Sequence, residues 1–411
     1  MRIAIWHNLS SGGAKRALHD HVAALKSRGH YLEAWCPPTA DRSYLPLERM
    51  IEEHVVELRW RPVAQGSLFA EALKLFSHRQ RLAALDRHSA ECVRQIECGG
   101  FDILYAHCCV FTRAPFIARH TTLPSVLYLQ EPNRMLYEAL PQLPWAALPR
   151  PTTVANAIAS IPARARDAAR IRLYRTLARE ELQNAAAFDR ILVNSYYSRE
   201  SVLRAYGLDA RVCYLGVDTD RFRRTRTETG AQTCIVSVGA LIPEKNAEFV
   251  LEAVGQVGRR PINLVWVANI VNREYQRQLN LTAAKHGIQF DVKERISEAN
   301  LVETLNRANL IVYAPRLEPF GYIPLEANAC GKAVVAVAEG GVRETIVHNV
   351  NGMLVDHDTG SVARAIEGLL DNPGKRRALG AAGRRMAVAN WNLSRATDNI
   401  ERQLLDIARV A

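Results

Sequence analysis

Residues 310–331 read "LIVYAPRLEPFGYIPLEANACG". The run "LIVYAP" predicts a strand, "RLEPFGYI" a loop and "PLEANACG" the start of a helix, because Pro324 is tolerated in a first helical turn and Gly331 suits a helix end. A strand that leads through a short loop into a helix is the repeating unit of a parallel sheet covered by helices. The stretch therefore predicts one unit of an α/β fold.

The same alternation continues along most of the chain. Short β-branched runs are separated by amphipathic stretches of helical period, which favours parallel sheets with covering helices. The runs lie at residues 2–6, 31–36, 54–58, 102–107, 124–129, 190–195 and 211–215, and then at 233–239, 262–267, 288–292, 310–315, 333–337 and 352–356. We predict two Rossmann-like, doubly wound domains that face each other across a cleft, with ligands at the carboxyl ends of the strands.

The polar stretch 222–232 separates the two series of runs. A chain of 411 residues also exceeds one comfortable core and fits two domains. We place an N-terminal domain at 1–215, a C-terminal domain at 216–390, and a C-terminal helix at 391–411 that packs back on the N-terminal domain. Residues 134–175 interrupt the alternation with prolines and an arginine-rich helix, and form an acceptor-binding element, a membrane element or a long connection.

Composition narrows the functional classes. The apolar content of 48% and charged content of 23% are those of a soluble globular enzyme. The eight cysteines form no C-x-x-C pair, which predicts reduced thiols rather than disulfides or a zinc site. No apolar run approaches the roughly 20 residues of a membrane-spanning helix. The chain begins with a strand-like run rather than a signal peptide, so we expect a cytoplasmic protein.

The net charge of +11 is compatible with nucleic acid, anionic lipid or a phosphorylated substrate as a partner. Arginines are spread through helix-like stretches such as 161–180 and 374–386. This distribution favours solvated helix faces. A face that contacts a membrane surface is the second interpretation.

Two glutamates flank the loop of the opening stretch. Glu318 lies in the loop and Glu326 in the first turns of the predicted helix. Between them, the backbone amides of residues 321–323 form a helix N-terminus, which can hold an anionic phosphate. A phosphate flanked by two hydroxyl-binding carboxylates describes a sugar nucleotide. One carboxylate would bind the ribose and the other the transferred sugar.

Several motifs in fixed order carry a family resemblance. The "EPFGYIPLEANACGKAVVAVAEGGVRETI" stretch with its E-x7-E spacing is followed by "NGMLVD", and upstream lie "SVGALIPEKN" (237–246), "ILVNSYYSRESV" (191–202), "YLGVDTDRF" (214–222) and "SSGGAKRALHDHVAALKSRGH" (10–30). Together they resemble the retaining nucleotide-sugar glycosyltransferases of the GT-B fold, in the family that includes bacterial mannosyl- and glucosyltransferases. The resemblance implies an acceptor-binding N-terminal domain and a donor-binding C-terminal domain.

The resemblance also implies roles for individual residues. Glu318 resembles the carboxylate that binds the donor sugar, Glu326 the one that binds ribose, and Lys245 the lysine that neutralises the donor diphosphate. The implied donor site comprises Gly12, Gly13, Gly239, Lys245, Glu318, Phe320, Gly321, Tyr322, Ile323 and Glu326, although the glycine pair 12–13 is equally consistent with a plain turn. The implied catalytic residues are Glu318, Lys245, His107 and Glu131, and the implied acceptor-binding residues are Gln130, Glu131 and Arg134.

The chain departs from the family pattern at two positions. Ala240 stands where relatives have an arginine, so Lys245 must neutralise more of the diphosphate charge. Gln130 stands where relatives have a histidine, and a glutamine cannot take a proton. Glu131 is adjacent and is interpreted either as functional or as part of a structural salt bridge. Arg134 could meet a phosphate or carboxylate of the acceptor.

His107 ends the strand-like run 102–107 at a position expected to face the cleft. A lone histidine is more often a satisfied core or strand-end residue than a catalyst. The sequence is consistent with His107 as a catalyst and with His107 as a core residue.

The predicted function is retaining transfer of a sugar from a nucleoside diphosphate sugar to a hydroxyl of a saccharide or lipid-linked saccharide. We expect no cofactor and no metal, because no cluster in the sequence has metal-ligand spacing. Peripheral contact with an anionic membrane is a further hypothesis. The alternatives are a nucleotide-sugar epimerase of the GT-B fold and a non-catalytic nucleic-acid binder, although no nucleic-acid module is recognisable.

Overall fold

The computed structural model describes residues 1–60, 70–138, 153, 160–225, 233–259 and 261–409, with the backbone alone at 70–76 and 161. Parts of the insertion at 134–175 and of the seam at 222–232 lie outside the described residues. The chain forms two parallel sheets, one in each half. The predicted α/β fold with two Rossmann-like units is therefore confirmed.

The first half of the chain forms a Rossmann-type sheet. Its strands are β1 (Arg2–Asn8), β2 (Tyr31–Cys36), β3 (Glu52–Val55), β4 (Ile103–Cys109), β5 (Ser125–Tyr128), β6 (Arg190–Val193) and β7 (Arg211–Val212). They pair in parallel in the order β3-β2-β1-β4-β5-β6-β7. The order reverses between β1 and β4, which is where such sheets open a crevice for ligands.

Helices cover this first sheet. They are α1 (Gly13–Ser27), α2 (Ala70–Cys98), α3 (Arg134–Tyr137), α4 (Ile161–Ala186) and α5 (Tyr196–Tyr206). Every side chain of the central strand β4 is buried. Strands that are covered on both faces have continuous apolar sequences. This is why the strands could be predicted from the sequence.

The second half repeats the same strand order. Its strands are β8 (Thr233–Val238), β9 (Ile262–Ala268), β10 (Gln289–Glu294), β11 (Leu310–Tyr313), β12 (Val334–Val337) and β13 (Met353–Val355), in the order β10-β9-β8-β11-β12-β13. The helices are α6 (Ala247–Gly255), α7 (Arg273–Lys285), α8 (Glu298–Arg307), α9 (Tyr322–Ala329), α10 (Val342–Thr345), α11 (Thr359–Asp371) and α12 (Pro373–Asn390).

The last helix, α13 (Leu393–Ala408), returns to the first half of the chain. Arg28, directly after α1, pairs with Glu401 at 2.5 Å and with Asp398 at 2.6 Å. Arg190 at the start of β6 donates to Gln403 Oε1 at 2.9 Å. The chain therefore crosses between the two units twice.

Element ends differ from the prediction in two informative places. The run at 211–215 yields a strand of only two residues, because only Arg211 and Val212 pair with β6. Helix α9 begins at Tyr322, two residues before Pro324, because Gly321 has φ 89° and starts the helix there. Among the described helices, none combines the length and apolar composition needed to cross a membrane.

Candidate active site

The loop between β11 and α9 forms the centre of the candidate site. Gly321 is the N-cap of α9, and a Cβ at this position would lie 2.9 Å from the Tyr313 hydroxyl. Its positive φ and this close approach both require glycine. In the part of the chain that the structure describes, no side chain caps the start of α9. The first amides of the helix are thus available to an anion.

Glu318 and Lys245 meet in front of this helix. Lys245 ends a short turn, Pro243–Lys245, after β8, and its Nζ lies 2.6 Å from Glu318 Oε2. Arg134 Nη2 is 4.0 Å from the same oxygen. Burial acts to raise the pKa of Glu318, but the charges of Lys245 and Arg134 outweigh it and lower that pKa below its ordinary value. Glu318 is therefore a stable carboxylate with cations beside it.

Glycines from both halves of the chain lie close to the residues of the candidate site. The Gly341 amide donates to the Glu318 carbonyl at 2.8 Å, and a Cβ at Gly340 would lie 2.8 Å from the Glu318 nitrogen. From the other half of the chain, a Cβ at Gly13 would lie 3.6 Å from a ring carbon of Tyr322. The N-terminal glycine loop thus faces the start of α9 across the cleft. Gly239 likewise lies beside Lys245, with a Cβ there 3.6 Å from the lysine Cγ.

Glu326 lies deeper, within α9, and is only 1% exposed. Its Oε1 is 3.5 Å from Arg16 Nε. Its Oε2 is buried without a hydrogen-bond partner among the described residues. Burial is the largest influence and raises the pKa of Glu326, Arg16 opposes that rise, and Asp20 and Glu298 add to it. A buried carboxylate oxygen without a donor is suited to accept hydrogen bonds from a ligand.

Arg16 is a residue of this site that the sequence did not reveal. It lies in the first turns of α1, hydrogen-bonds to Glu298 at the start of α8, and donates to the Tyr44 hydroxyl at 3.1 Å. Arg221 also donates to Glu298, at 2.9 Å. Arg16 therefore ties the N-terminal unit to both α8 and α9. Arg16 lies within the motif at 10–30, but nothing in the sequence indicated its role, because its partners lie far away in sequence.

The predicted acceptor residues lie in the loop after β5. Gln130 is half-buried there. Glu131 accepts from Arg134 Nε at 2.6 Å and lies 3.6 Å from Arg113. Glu131 therefore forms salt bridges, and its role in catalysis or acceptor binding stays a prediction. Arg134 donates to protein groups, including the carbonyl of Leu317 at 2.5 Å, and its contact with an acceptor stays a prediction.

His107 does not face the cleft, so that expectation is wrong. It is 0% exposed in β4, and its ring packs against Tyr105, Tyr128 and His21 at centroid distances of 4.7, 5.6 and 5.8 Å. Neither ring nitrogen has a hydrogen-bond partner among the described residues. Burial lowers its pKa well below the ordinary value. Because β4 is covered on both faces, His107 is a neutral core residue without access to substrate.

Phe320 is also a supporting residue. It is 2% exposed and packs near Tyr214 and Trp391, with ring centroids 6.3 and 6.0 Å away. Its side chain supports the loop through these aromatic contacts, and its part in donor binding stays a prediction. Tyr322 and Ile323, by contrast, are partly exposed at the start of α9.

Folding brings together two groups of side chains that could bind a metal ion, which the sequence spacing did not predict. His7, Cys36 and Glu53 converge in the first sheet, as do Glu33, Glu52 and His54. Neither group, among the described residues, includes Glu318 or Glu326. Glu53 already pairs with Arg42 at 3.1 Å and with Lys15 at 4.0 Å. These two cations compete with a metal ion for the carboxylate.

Comparison with known proteins places this geometry in a family. Residues 11–221 match the family model described as Glycosyltransferase Family 4, and residues 218–386 match the model described as Glycosyl transferases group 1. The first match alone covers half of the chain.

Curated relatives match in part. A GDP-mannose-dependent alpha-(1-6)-phosphatidylinositol monomannoside mannosyltransferase of Mycolicibacterium smegmatis is 30% identical over 48% of this chain and 57% of its own. A D-inositol 3-phosphate glycosyltransferase of Geodermatophilus obscurus is 30% identical over 54% of this chain and 53% of its own. The chain thus spans about half the length of these relatives.

A solved structure matches over nearly the full length. The Anabaena HepE protein, crystallised in complex with UDP-glucose, aligns with a TM-score of 0.72 at 18% identity, covering 99% of this chain and 100% of its own. This likeness confirms the fold. Taken with the two family models, it shows that the chain belongs to glycosyltransferase family 4 and has the GT-B fold.

Proposed function

We propose that this protein transfers a sugar from a nucleoside diphosphate sugar to an acceptor hydroxyl, with retention of anomeric configuration and without a metal. One observation carries the proposal: Lys245 meets Glu318 at the loop that leads into α9, whose start has no side-chain cap among the described residues, and a Glu326 oxygen without a partner among those residues lies further along the same helix. A cation, free amides and two carboxylates are the groups that a sugar nucleotide requires.

Each group has a defined task in this mechanism. Glu326 accepts from the ribose hydroxyls, and Glu318 accepts from a hydroxyl of the transferred sugar. The bond between the anomeric carbon and the diphosphate oxygen breaks, and charge accumulates on the diphosphate. Lys245 and the first amides of α9 stabilise that charge. The acceptor oxygen bonds to the anomeric carbon from the same face, and its proton passes to the departing phosphate.

The relatives suggest the class of acceptor. The names of the two curated relatives specify phosphatidylinositol monomannoside and D-inositol 3-phosphate as acceptors. Those names support a saccharide, a lipid-linked saccharide or a related polyol as the acceptor of this chain. An epimerase or a nucleic-acid binder is not favoured, because both matching family models describe glycosyltransferases.

A ligand screen tests the donor. We expect UDP, GDP, UDP-glucose or GDP-mannose to raise the melting temperature, since a ligand at about 100 times its Kd adds about 2.7 kcal/mol of stability. The bound sugar nucleotide is then tested for slow release of free sugar, which needs no acceptor. Glu326→Ala serves as the control and should lose the shift. A panel of sugar nucleotides without any shift in the wild type contradicts the proposal.

We also propose a cytoplasmic location with peripheral contact to an anionic membrane. Helix α4 carries exposed arginines at positions 164, 166, 170, 172, 175 and 179. Exposed cations of this kind attract acidic headgroups. The protein should sediment with phosphatidylglycerol vesicles and not with phosphatidylcholine vesicles, and equal sedimentation with both contradicts the contact.

A further inference from the structure

The Arg134 side chain contacts both halves of the protein. It begins α3 in the N-terminal half, and its guanidinium reaches the loop that carries Glu318. Nη1 donates to the carbonyl of Arg316 at 3.1 Å, and Nη2 donates to the carbonyl of Leu317 at 2.5 Å. The planar guanidinium presents its donors in a fixed fork, so two neighbouring carbonyls fix its orientation.

Arg134 is itself held in place by its own half. Its Nε donates to Glu131 at 2.6 Å, and Glu138 lies 3.7 Å away. Glu138 in turn accepts from the Tyr197 hydroxyl at 3.1 Å, and the Asn133 side chain caps α3. Arg134 is therefore held by the N-terminal half while it contacts the loop of the C-terminal half.

The contacted backbone needs such support. Leu317 has φ 46°, in the left-handed region that non-glycine residues rarely occupy. The next residue is Glu318, whose carbonyl accepts from Gly341 within its own half. The backbone around Glu318 is thus fixed from both halves, by Gly341 on one side and by Arg134 on the other.

We propose that Arg134 is a positioning residue that places Glu318 for the donor sugar when the two halves close on each other. This inference rests on the proposed function and assigns Arg134 to the donor side of the reaction rather than to acceptor binding. The residue acts through the carbonyls of Arg316 and Leu317, and its charge also favours the ionised form of Glu318.

Three variants test the proposal. Arg134→Ala removes the contact, and Arg134→Lys keeps the charge but cannot donate to both carbonyls with the same fork. Arg28→Ala is the matched control, because Arg28 is as buried as Arg134 (24% against 23% exposed) and is also paired with carboxylates, but it joins the end of α1 to α13. Circular dichroism and melting temperatures establish that each variant is folded.

Calorimetry with UDP and UDP-glucose, or with GDP and GDP-mannose, gives the first readout, and single-turnover transfer or sugar release gives the second. We expect Arg134→Ala to keep its affinity for the nucleoside diphosphate within about twofold and to lose roughly 30-fold in transfer, since the contact orients only the sugar carboxylate. Arg134→Lys should lose nearly as much. Arg28→Ala should match the wild type in both.

A double variant separates positioning from general damage. In a Glu318→Gln background, Arg134→Ala should cost little further transfer, because the two residues act through one contact. Additive losses, wild-type transfer in Arg134→Ala, or full rescue by Arg134→Lys would each overturn the inference while the proposed function stands. If the wild type binds no sugar nucleotide, the proposed function and this inference fall together.

Discussion

Lys245 Nζ and Glu318 Oε2 lie 2.6 Å apart, although 73 positions separate the two residues in sequence. The lysine proposed to bind diphosphate is thus ion-paired with the carboxylate proposed to bind sugar. The donor must exchange this pairing for two new ones, phosphate on Lys245 and a hydroxyl on Glu318.

Replacing Lys245 with alanine should weaken nucleoside diphosphate binding and leave nucleoside binding nearly intact. A charge-assisted hydrogen bond of this kind contributes about 1.5 to 3 kcal/mol, and Ala240 supplies no second cation. Calorimetry with UDP and uridine, or GDP and guanosine, measures both. Lys285→Ala, at an exposed lysine in α7, is the control. Equal diphosphate affinity in Lys245→Ala and wild type contradicts the assignment.

The two glutamates should be separable by mutation. Glu326→Ala should weaken every ligand that carries the nucleoside. Glu318→Gln should leave nucleoside diphosphate affinity nearly unchanged and slow transfer by roughly 30-fold, equivalent to about 2 kcal/mol, because its contact is to the sugar. Affinity and single-turnover transfer are measured for both. A similar loss of diphosphate affinity in the two variants would show that the pair acts as one unit.

Nucleoside affinity should fall as the pH falls. Burial raises the pKa of Glu326 in the free protein, and only the ionised form accepts hydrogen bonds from both ribose hydroxyls. Affinity should therefore be full well above the raised pKa and decline as the pH approaches it from above. Uridine or guanosine titrations from pH 8 down to the lowest pH at which the protein stays folded test this, and Glu326→Gln should bind weakly without that dependence. A flat profile in the wild type is incompatible with the role of Glu326.

The fold should lose stability in mild acid because of its buried histidines. Burial lowers the pKa of His21 to about 3, whereas in the unfolded chain histidine titrates near 6.5. As the pH falls below that value, protons bind the unfolded chain first, and stability declines by up to about 1.4 kcal/mol per pH unit for one such group. Urea unfolding at pH 7, 6 and 5 measures the decline. His21→Phe should reduce it, and an unchanged slope refutes the attribution.

Transfer should continue in excess chelator. The groups proposed to stabilise the departing diphosphate are Lys245 and the first amides of α9. Among the described residues, the side chains that could together hold a metal ion lie in the first sheet. Activity is measured in millimolar EDTA and again after addition of Mg²⁺ or Mn²⁺. Activity that disappears with chelator and returns only with the metal would exclude the metal-free mechanism.

The strands were predictable because parallel strands are buried on both faces. Every predicted run overlaps a strand, whereas the ends of each strand depend on pairing, as the short β7 shows. The same burial misled the interpretation of His107. A run that is buried on both faces does not show in sequence which of its residues reach the surface.

The candidate site was predictable in part. Motif order pointed to Glu318, Glu326 and Lys245, and folding brings Glu318 and Lys245 into contact. The contacts of Arg16 and Arg134 were not predictable, because they depend on how the two halves close on each other. Sequence spacing carries no signal for such a contact between the two halves.

Arg16 and Arg134 approach different glutamates of the same loop and helix, Arg16 at Glu326 and Arg134 at Glu318. In a cell depleted of sugar nucleotides, both carboxylates would still have a positive neighbour, and Lys245 would still have a negative one. The resting enzyme therefore avoids the cost of an isolated charge in its cleft. The charge balance of the ligand-free cleft therefore depends on the protein's own side chains and not on the supply of donor.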